Sequence, residues 1–250
     1  MESKKSSKIL SDEATFLSAA KRSSESFEMM PGGVLSDSAI ERGLKDGSIF
    51  ISPFSRSNLT NCAYDISLGS RVVFIPAAAP VVNAGWITSS TETPTIDVTN
   101  KTSVATSFKR LELAPDAKGV TIPPNSFAVC HSHEFIGTTF HPYNHITTMM
   151  RARSTLARAG ISISPSAGWG DVGFANRWGM IIHNNRSDAN VFIPFGAKVA
   201  QIVFLRVVGR PSKSYATASG TYKTVSGKRS FEKLDEEWDA SSLLPSAEAS

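Results

Sequence analysis

The sequence predicts an all-β fold, and three observations carry that prediction. Between Ile49 and Val208, short runs rich in Val, Ile, Phe and Thr follow one another. Gly, Pro, Asn and Asp stand between the runs as turn signals, which is how sandwiches and barrels are punctuated. No strand–helix–strand alternation occurs, so a doubly wound nucleotide fold is excluded.

Taken in order, residues 1–33 are rich in Ser and Lys and read as a basic, flexible N-terminal arm. Within it, Ser11 is placed to cap a short helix through Lys21, and Pro31-Gly32-Gly33 marks its end. A short helix is expected over Ser36–Lys45. Ser36 is a good N-cap, Asp37 suits the positive helix end, Ile40 and Leu44 fall on one face, and Gly47 stops it. The expected strands are Ile49–Ile51, Arg71–Ile75, Phe127–His131, His145–Met149, Gly160–Ser164, Trp178–His183, Asn190–Ile193 and Lys198–Val208. One helical turn is expected at Ser154–Ala159. After Gly209 the pattern stops. Residues 212–230 are small, polar and basic and the last stretch is acidic, so 209–250 reads as a flexible C-terminal arm and acidic tail.

Composition bounds the function. The chain has 250 residues, is 41% hydrophobic and 19% charged, and carries a net charge of +4. That suits one domain with its own core and excludes a fully disordered chain. No apolar run approaches the ~20 residues of a membrane-spanning helix. The first residues lack the apolar core of a secretory signal, and Glu2, Asp12 and Glu13 argue against a transit peptide. Cys62 and Cys130 do not make a disulfide framework, so a cytoplasmic or other reducing intracellular compartment is expected. The N-terminal lysines have only Phe16 among them and no run of stacking aromatics, so nucleic acid is an unsupported partner for this arm.

Chemistry-bearing residues are densest from Met150 to Asn185. Arg151, Arg153 and Arg158 surround Ser154 and Thr155, and guanidinium groups with hydroxyls at a helix start suit phosphate oxygens. Next, small residues flank an aromatic and an acid in Ala167-Gly168-Trp169-Gly170-Asp171-Val172-Gly173-Phe174. Glycine there lets backbone approach a flat ligand, and Asp171 is placed to activate a water or bind a sugar hydroxyl. Separately, His131 and His133 share a strand face beside Cys130, but two ligands fall short of a zinc site and no metal ligand is assigned.

These residues resemble the dCTP deaminases, within the trimeric dUTPase superfamily. Val34–Ile40 resembles the family's leading helix and Ala63–Gly69 its first signature strand. Arg153–Arg158 resembles the phosphate-binding arginine-serine-serine motif, and Ala167–Phe174 the third motif. Pro194–Gly196 with Ala200–Phe204 resembles the fourth. The resemblance covers 34–208 as one domain. It implies a distorted β-barrel or jelly roll, a homotrimer with sites between subunits, and a deoxynucleoside triphosphate bound with Mg²⁺. The implied roles are phosphate binding by Arg153, Ser154, Thr155 and Arg158, and water orientation by Asp171. Nucleoside contacts are implied for Ala167, Trp169, Gly173, Phe174, Ile181 and Tyr222.

The chain departs from the family at two places. Counting from Asp171, the deaminating glutamate falls at Ile181, which transfers no proton. No Glu occurs between Phe135 and Arg229 to replace it. On the arm, Tyr222 is kept, but the expected lysine is Thr221 and the expected glutamine is Val225. The expected function is nucleotide binding with dUTP hydrolysis and without deamination. A catalytically inactive shell or scaffold subunit of the same fold is the alternative.

Overall fold

The computed structural model describes residues 32–77, 81–82, 85–86, 96–164, 167–218 and 230–244. The expected helix at Ser11–Lys21 and the arm residues Thr221, Tyr222 and Val225 lie outside them.

Strand β1 (Gly33–Val34) leads into helix α1 (Asp37–Asp46). Ser36 caps it by accepting from the Ala39 amide, and Gly47 closes it at φ 80°, a left-handed conformation that suits glycine. The chain then runs through β2 (Ile49–Ser52), β3 (Tyr64–Ser67), β4 (Phe74–Pro76), β5 (Val81–Val82) and β6 (Gly85–Trp86). Helix α2 (Lys101–Thr106), which sequence reading missed, precedes β7 (Phe108–Arg110), β8 (Gly119–Ile122), β9 (Ser126–Thr138) and β10 (Ile146–Ala152). Helix α3 (Ser154–Arg158) follows, then β11 (Ile161–Ile163), β12 (Trp169–Gly170), β13 (Ala175–Asn184), β14 (Val191–Pro194) and β15 (Lys198–Arg206). Two short helices close the described chain, α4 (Tyr215–Ala218) and α5 (Phe231–Glu237).

The fold is all-β, as expected. One sheet has the order β1-β15-β10-β12, with β3 also on β15; the other runs β11-β13-β9-β4-β7, with β2 on β9. β8 and β14 form a separate ribbon, and all the strand pairs are antiparallel. Both sheets feed one core. Tyr64, Ile66, Ile202 and Phe204 come from the first, and Ile75, Ile136, Met180 and Ile182 from the second, all fully or almost fully buried.

β9 does not alternate in burial as half-exposed strands do, and β13 alternates only from Trp178 onward. Ten consecutive residues of β9, Ala128–Gly137, include only one that is not buried, His133. Part of the cause is the C-terminal segment. Residues 230–244, expected as a loose acidic tail, instead fold into α5 and a following turn, with Leu234 3% exposed. Phe231 and Trp238 meet His133, Phe135 and His131, which project from β9.

Candidate nucleotide-binding site

The residues expected to bind phosphate gather where β10 passes into α3. Arg153 is the N-cap of α3, with an extended backbone. Its Nη1 lies 3.2 Å from Asp65 Oδ2. Lys198 Nζ lies 3.4 Å from the same oxygen, and Gln201 donates to Asp65 Oδ1 at 2.9 Å. Asp65 is buried on β3 with a side chain only 5% exposed, while Arg153 and Lys198 are about one-third exposed, at 35% and 33%. One buried carboxylate thus holds two cations at the surface. Ser154, Thr155 and Arg158 are exposed on α3. Sequence reading missed Asp65 and Lys198 as members of this cluster, although Asp65 lies in the quoted signature strand.

Most of the residues expected to contact a nucleoside lie around a cavity of about 520 Å³. Ala167, Trp169, Asp171, Phe174 and Ile181 all line it. Its other walls come from distant parts of the chain, notably Phe108, Val129, Tyr215 and Leu243. Trp169 and Asp171 are exposed at its rim, and Ile181 is half-buried in the wall. The Ile181 amide donates to Ser164 Oγ at 2.9 Å, and the Ser164 amide donates to the Ile181 carbonyl at 2.8 Å. Position 181 is therefore fixed against the loop that carries the third motif.

Gly173 has a different place. At φ +91° it makes the turn before β13, donates to Thr138 Oγ1 at 3.1 Å and packs near Phe140 and Ser214. Glycine suits this left-handed position, so Gly173 shapes the turn rather than the cavity wall.

A second cavity of about 430 Å³ shares Ser164, Gly168 and Trp169 with the first and reaches Arg151 and Ala157. Ala157 belongs to α3, so this cavity lies between the first cavity and α3. Arg153, Ser154, Thr155 and Arg158 line neither cavity. Within one chain the two groups of expected site residues are neighbours through α3, not members of one pocket.

Arg177 was not singled out in the sequence. Its side chain is only 2% exposed, and Nη2 pairs with Asp235 of α5. The guanidinium lies 4.7 Å from the Phe135 ring centroid and 4.9 Å from that of Trp238, within cation–π reach. Beside it, His131 is fully buried. His131 Nε2 accepts from the Arg71 and Val72 amides at 3.2 and 3.3 Å, which assigns the proton to Nδ1, 2.8 Å from the Ser132 carbonyl. Both ring nitrogens are thus engaged by backbone, and Arg177 Nη1 also lies 3.2 Å from Nδ1. Among the described residues no three His, Cys, Asp or Glu side chains converge on a metal position. Burial also pushes the Cys130 thiol up to about 12, far from nucleophile chemistry.

Burial, helped by the charges of Arg177 and Arg71, pushes His131 down to about 4 against the pull of its bond to Ser132. The fold holds the ring neutral, whereas the unfolded chain takes up a proton near pH 6.5. Stability from this group is therefore present above about pH 6.5 and is lost as pH falls towards 4, with a slope of at most ~1.4 kcal/mol per pH unit. Urea unfolding at pH 7.5 and pH 5 should show a drop of roughly 1–2 kcal/mol. His131→Gln should flatten this dependence; an unchanged slope in the variant would assign the drop to other groups.

Comparison with known proteins agrees with these motifs. Residues 34–207 match the family model described as dCTP deaminase-like. The dCTP deaminase, dUMP-forming, of Methanopyrus kandleri is 29% identical over 194 residues, covering 76% of this chain and 90% of that protein. The protein of the same description from Methanobrevibacter smithii is 24% identical over 172 residues, covering 68% and 79%. Among solved structures, the dCTP deaminase of Agrobacterium tumefaciens aligns with a TM-score of 0.48 at 14% identity, over 71% of this chain and 49% of that one. The EIAV dUTPase aligns with a TM-score of 0.31 at 19% identity, over 42% and 88%. The matched span takes in the Asp65–Arg153–Lys198 cluster and most of the cavity wall, and on it rests the conclusion that this chain belongs to the dCTP deaminase-like family.

Proposed function

We propose that this protein binds deoxynucleoside triphosphates and that the chemistry open to it is cleavage of dUTP, not deamination of dCTP. One observation carries the reading: the cavity lined by Ala167, Trp169, Asp171 and Phe174 also has Ile181 in its wall, at the position that the family resemblance gives to the deaminating glutamate. The sugar and base occupy that cavity. Arg153, Ser154, Thr155 and Arg158 hold the phosphates. Asp171, exposed at the rim, orients the attacking water as a carboxylate. Mg²⁺ enters with the triphosphate and shields its charge; the chain supplies no three-ligand cluster among its described residues. The separation of α3 from the cavity supports a homotrimer in which a neighbour completes each site, with residues 34–208 as the assembling domain. The C-terminal arm, with Tyr222, closes over the nucleoside in this reading.

The test is dUTP cleavage with Mg²⁺, followed as pyrophosphate release. Asp171→Asn should lower the rate about 100- to 10,000-fold, the usual range for a lost general base, while nucleotide affinity changes little. Equal cleavage by wild type and variant would remove Asp171 from the reaction.

One observation favours a second reading, a catalytically inactive shell or scaffold subunit. Asp65 already pairs with both Arg153 and Lys198, so part of the cluster's positive charge is neutralised without a bound phosphate. Absence of binding for dCTP, dUTP and dTTP at millimolar concentration would put this reading first.

A further inference from the structure

We propose that residues 230–244 are a wall of the nucleoside cavity, with Asp235 as the positioning residue that locks it. Nucleotide binding and docking of this segment then form one linked equilibrium. This rests on the nucleoside reading above.

The segment lies beyond the family match, which ends at residue 207, yet it is tied to the site's own strand. Arg177 on β13 and Arg71, in the loop before β4, converge on the Asp235 carboxylate. Arg177 Nη2 pairs with Oδ1, and Arg71 Nη1 lies 3.1 Å from Oδ2. Arg71 also donates to the Asp235 carbonyl. Aromatic contacts flank this clamp on both sides. Phe231 lies 5.0 Å from His133, and Trp238 lies 4.7 Å from His131, ring to ring.

Past Trp238 the chain turns through Ala240–Leu243 and brings Ser242, Leu243 and Leu244 to the cavity, which Phe108, Val129 and Ile181 also line. Leu243 reaches β13 itself: a Cβ at Gly179 would stand 3.4 Å from Leu243 Cδ2, at van der Waals contact. The cavity holds about 520 Å³ with the segment docked, within the ~300–1,000 Å³ of small-ligand sites. The segment is therefore a wall and not a plug. Docking also has a built-in weakness. Arg177 Nε and Trp238 Nε1 are buried with no hydrogen-bond partner among the described residues, and buried donors left dry oppose the state that buries them. A ligand that fills the cavity adds contacts to the docked form alone, and linkage makes the effect reciprocal.

The full-length protein tests this with dUTP and Mg²⁺, using amide hydrogen exchange and equilibrium binding. Saturating dUTP should slow exchange across 231–237 in the wild type. Asp235→Asn should weaken dUTP binding about tenfold and leave 231–237 fast with or without nucleotide. Asp235→Glu should restore much of both, and Leu243→Ala should weaken binding while 231–237 stays protected. A wild type that binds no deoxynucleoside triphosphate would defeat the function proposed above and this linkage with it. Wild-type binding matched by Asp235→Asn with 231–237 undocked would defeat the linkage alone.

Discussion

Ile181→Glu should raise ammonia release from dCTP by about 100- to 10,000-fold over the wild type, the range that a positioned general acid–base supplies. The position is prepared for it in two ways. The backbone at 181 is fixed to Ser164 through both its amide and its carbonyl, so the new side chain starts from a defined strand face. The wall around it, with Val129, Phe108 and Leu243, is apolar, and desolvation raises a carboxyl pKa towards neutrality, where proton transfer in both directions is efficient. Ile181→Gln is the control: it matches Glu in size and polarity but cannot act as an acid or a base. A gain with Glu and none with Gln assigns the effect to proton transfer. No gain with Glu, in a variant that still binds nucleotide, would mean that the cavity does not place the base beside position 181.

Arg153→Ala should weaken deoxynucleoside triphosphate binding by roughly 10- to 150-fold, the equivalent of ~1.5–3 kcal/mol for a charge-assisted contact. The geometry moves the expectation towards the lower end. Arg153 already shares its charge with Asp65 at 3.2 Å, so its attraction for phosphate is partly spent inside the protein. The same geometry separates a binding effect from a folding effect. Without Arg153, Asp65 keeps Lys198 at 3.4 Å and Gln201 at 2.9 Å, so thermal unfolding should shift little while affinity falls. A variant that binds as tightly as the wild type would take α3 out of the phosphate site.

How much of this was legible in the sequence depended on whether the signal was local. Helix α1 was readable because Ser36 and Gly47 are local start and stop signals that need no tertiary support. The cavity wall was readable because Ala167, Trp169, Asp171, Phe174 and Ile181 fall within one stretch that folds back on itself. Strand β9 was longer than expected, running to Thr138. Its last residues pair with β2 on one side and the start of β13 on the other, partners far away in sequence. Strand β4 was shifted towards Pro76 because Arg71–Val73 serve the loop that contacts His131 and Asp235.

The tail was misread for a related reason. Phe231, Leu234 and Trp238 recur at spacings of three and four, a helix stripe, and Ser230 is an N-cap that accepts from the Lys233 amide. Those signals lay under the acidity of Glu232, Asp235, Glu236 and Glu237, which suggested solvent. Asp235 becomes a docking residue only because Arg71 and Arg177, 164 and 58 residues away, arrive together. Residue pairs at such separations leave no trace in the spacing of a single sequence. Asp65 is the same case in miniature: its partners Arg153, Lys198 and Gln201 come from two other strands' ends.

The central claim is that this family member keeps a nucleotide cavity and lacks the group that would deaminate the base. The most direct measurement is a proton NMR time course of dCTP with a stoichiometric amount of the wild-type protein and Mg²⁺. The account predicts broadened, shifted base resonances from binding, with the cytosine signals otherwise persisting and no deoxyuridine species growing in. Conversion of the cytosine signals to uracil signals at an ordinary enzymatic rate would contradict it, and so would sharp, unshifted dCTP resonances at millimolar concentration.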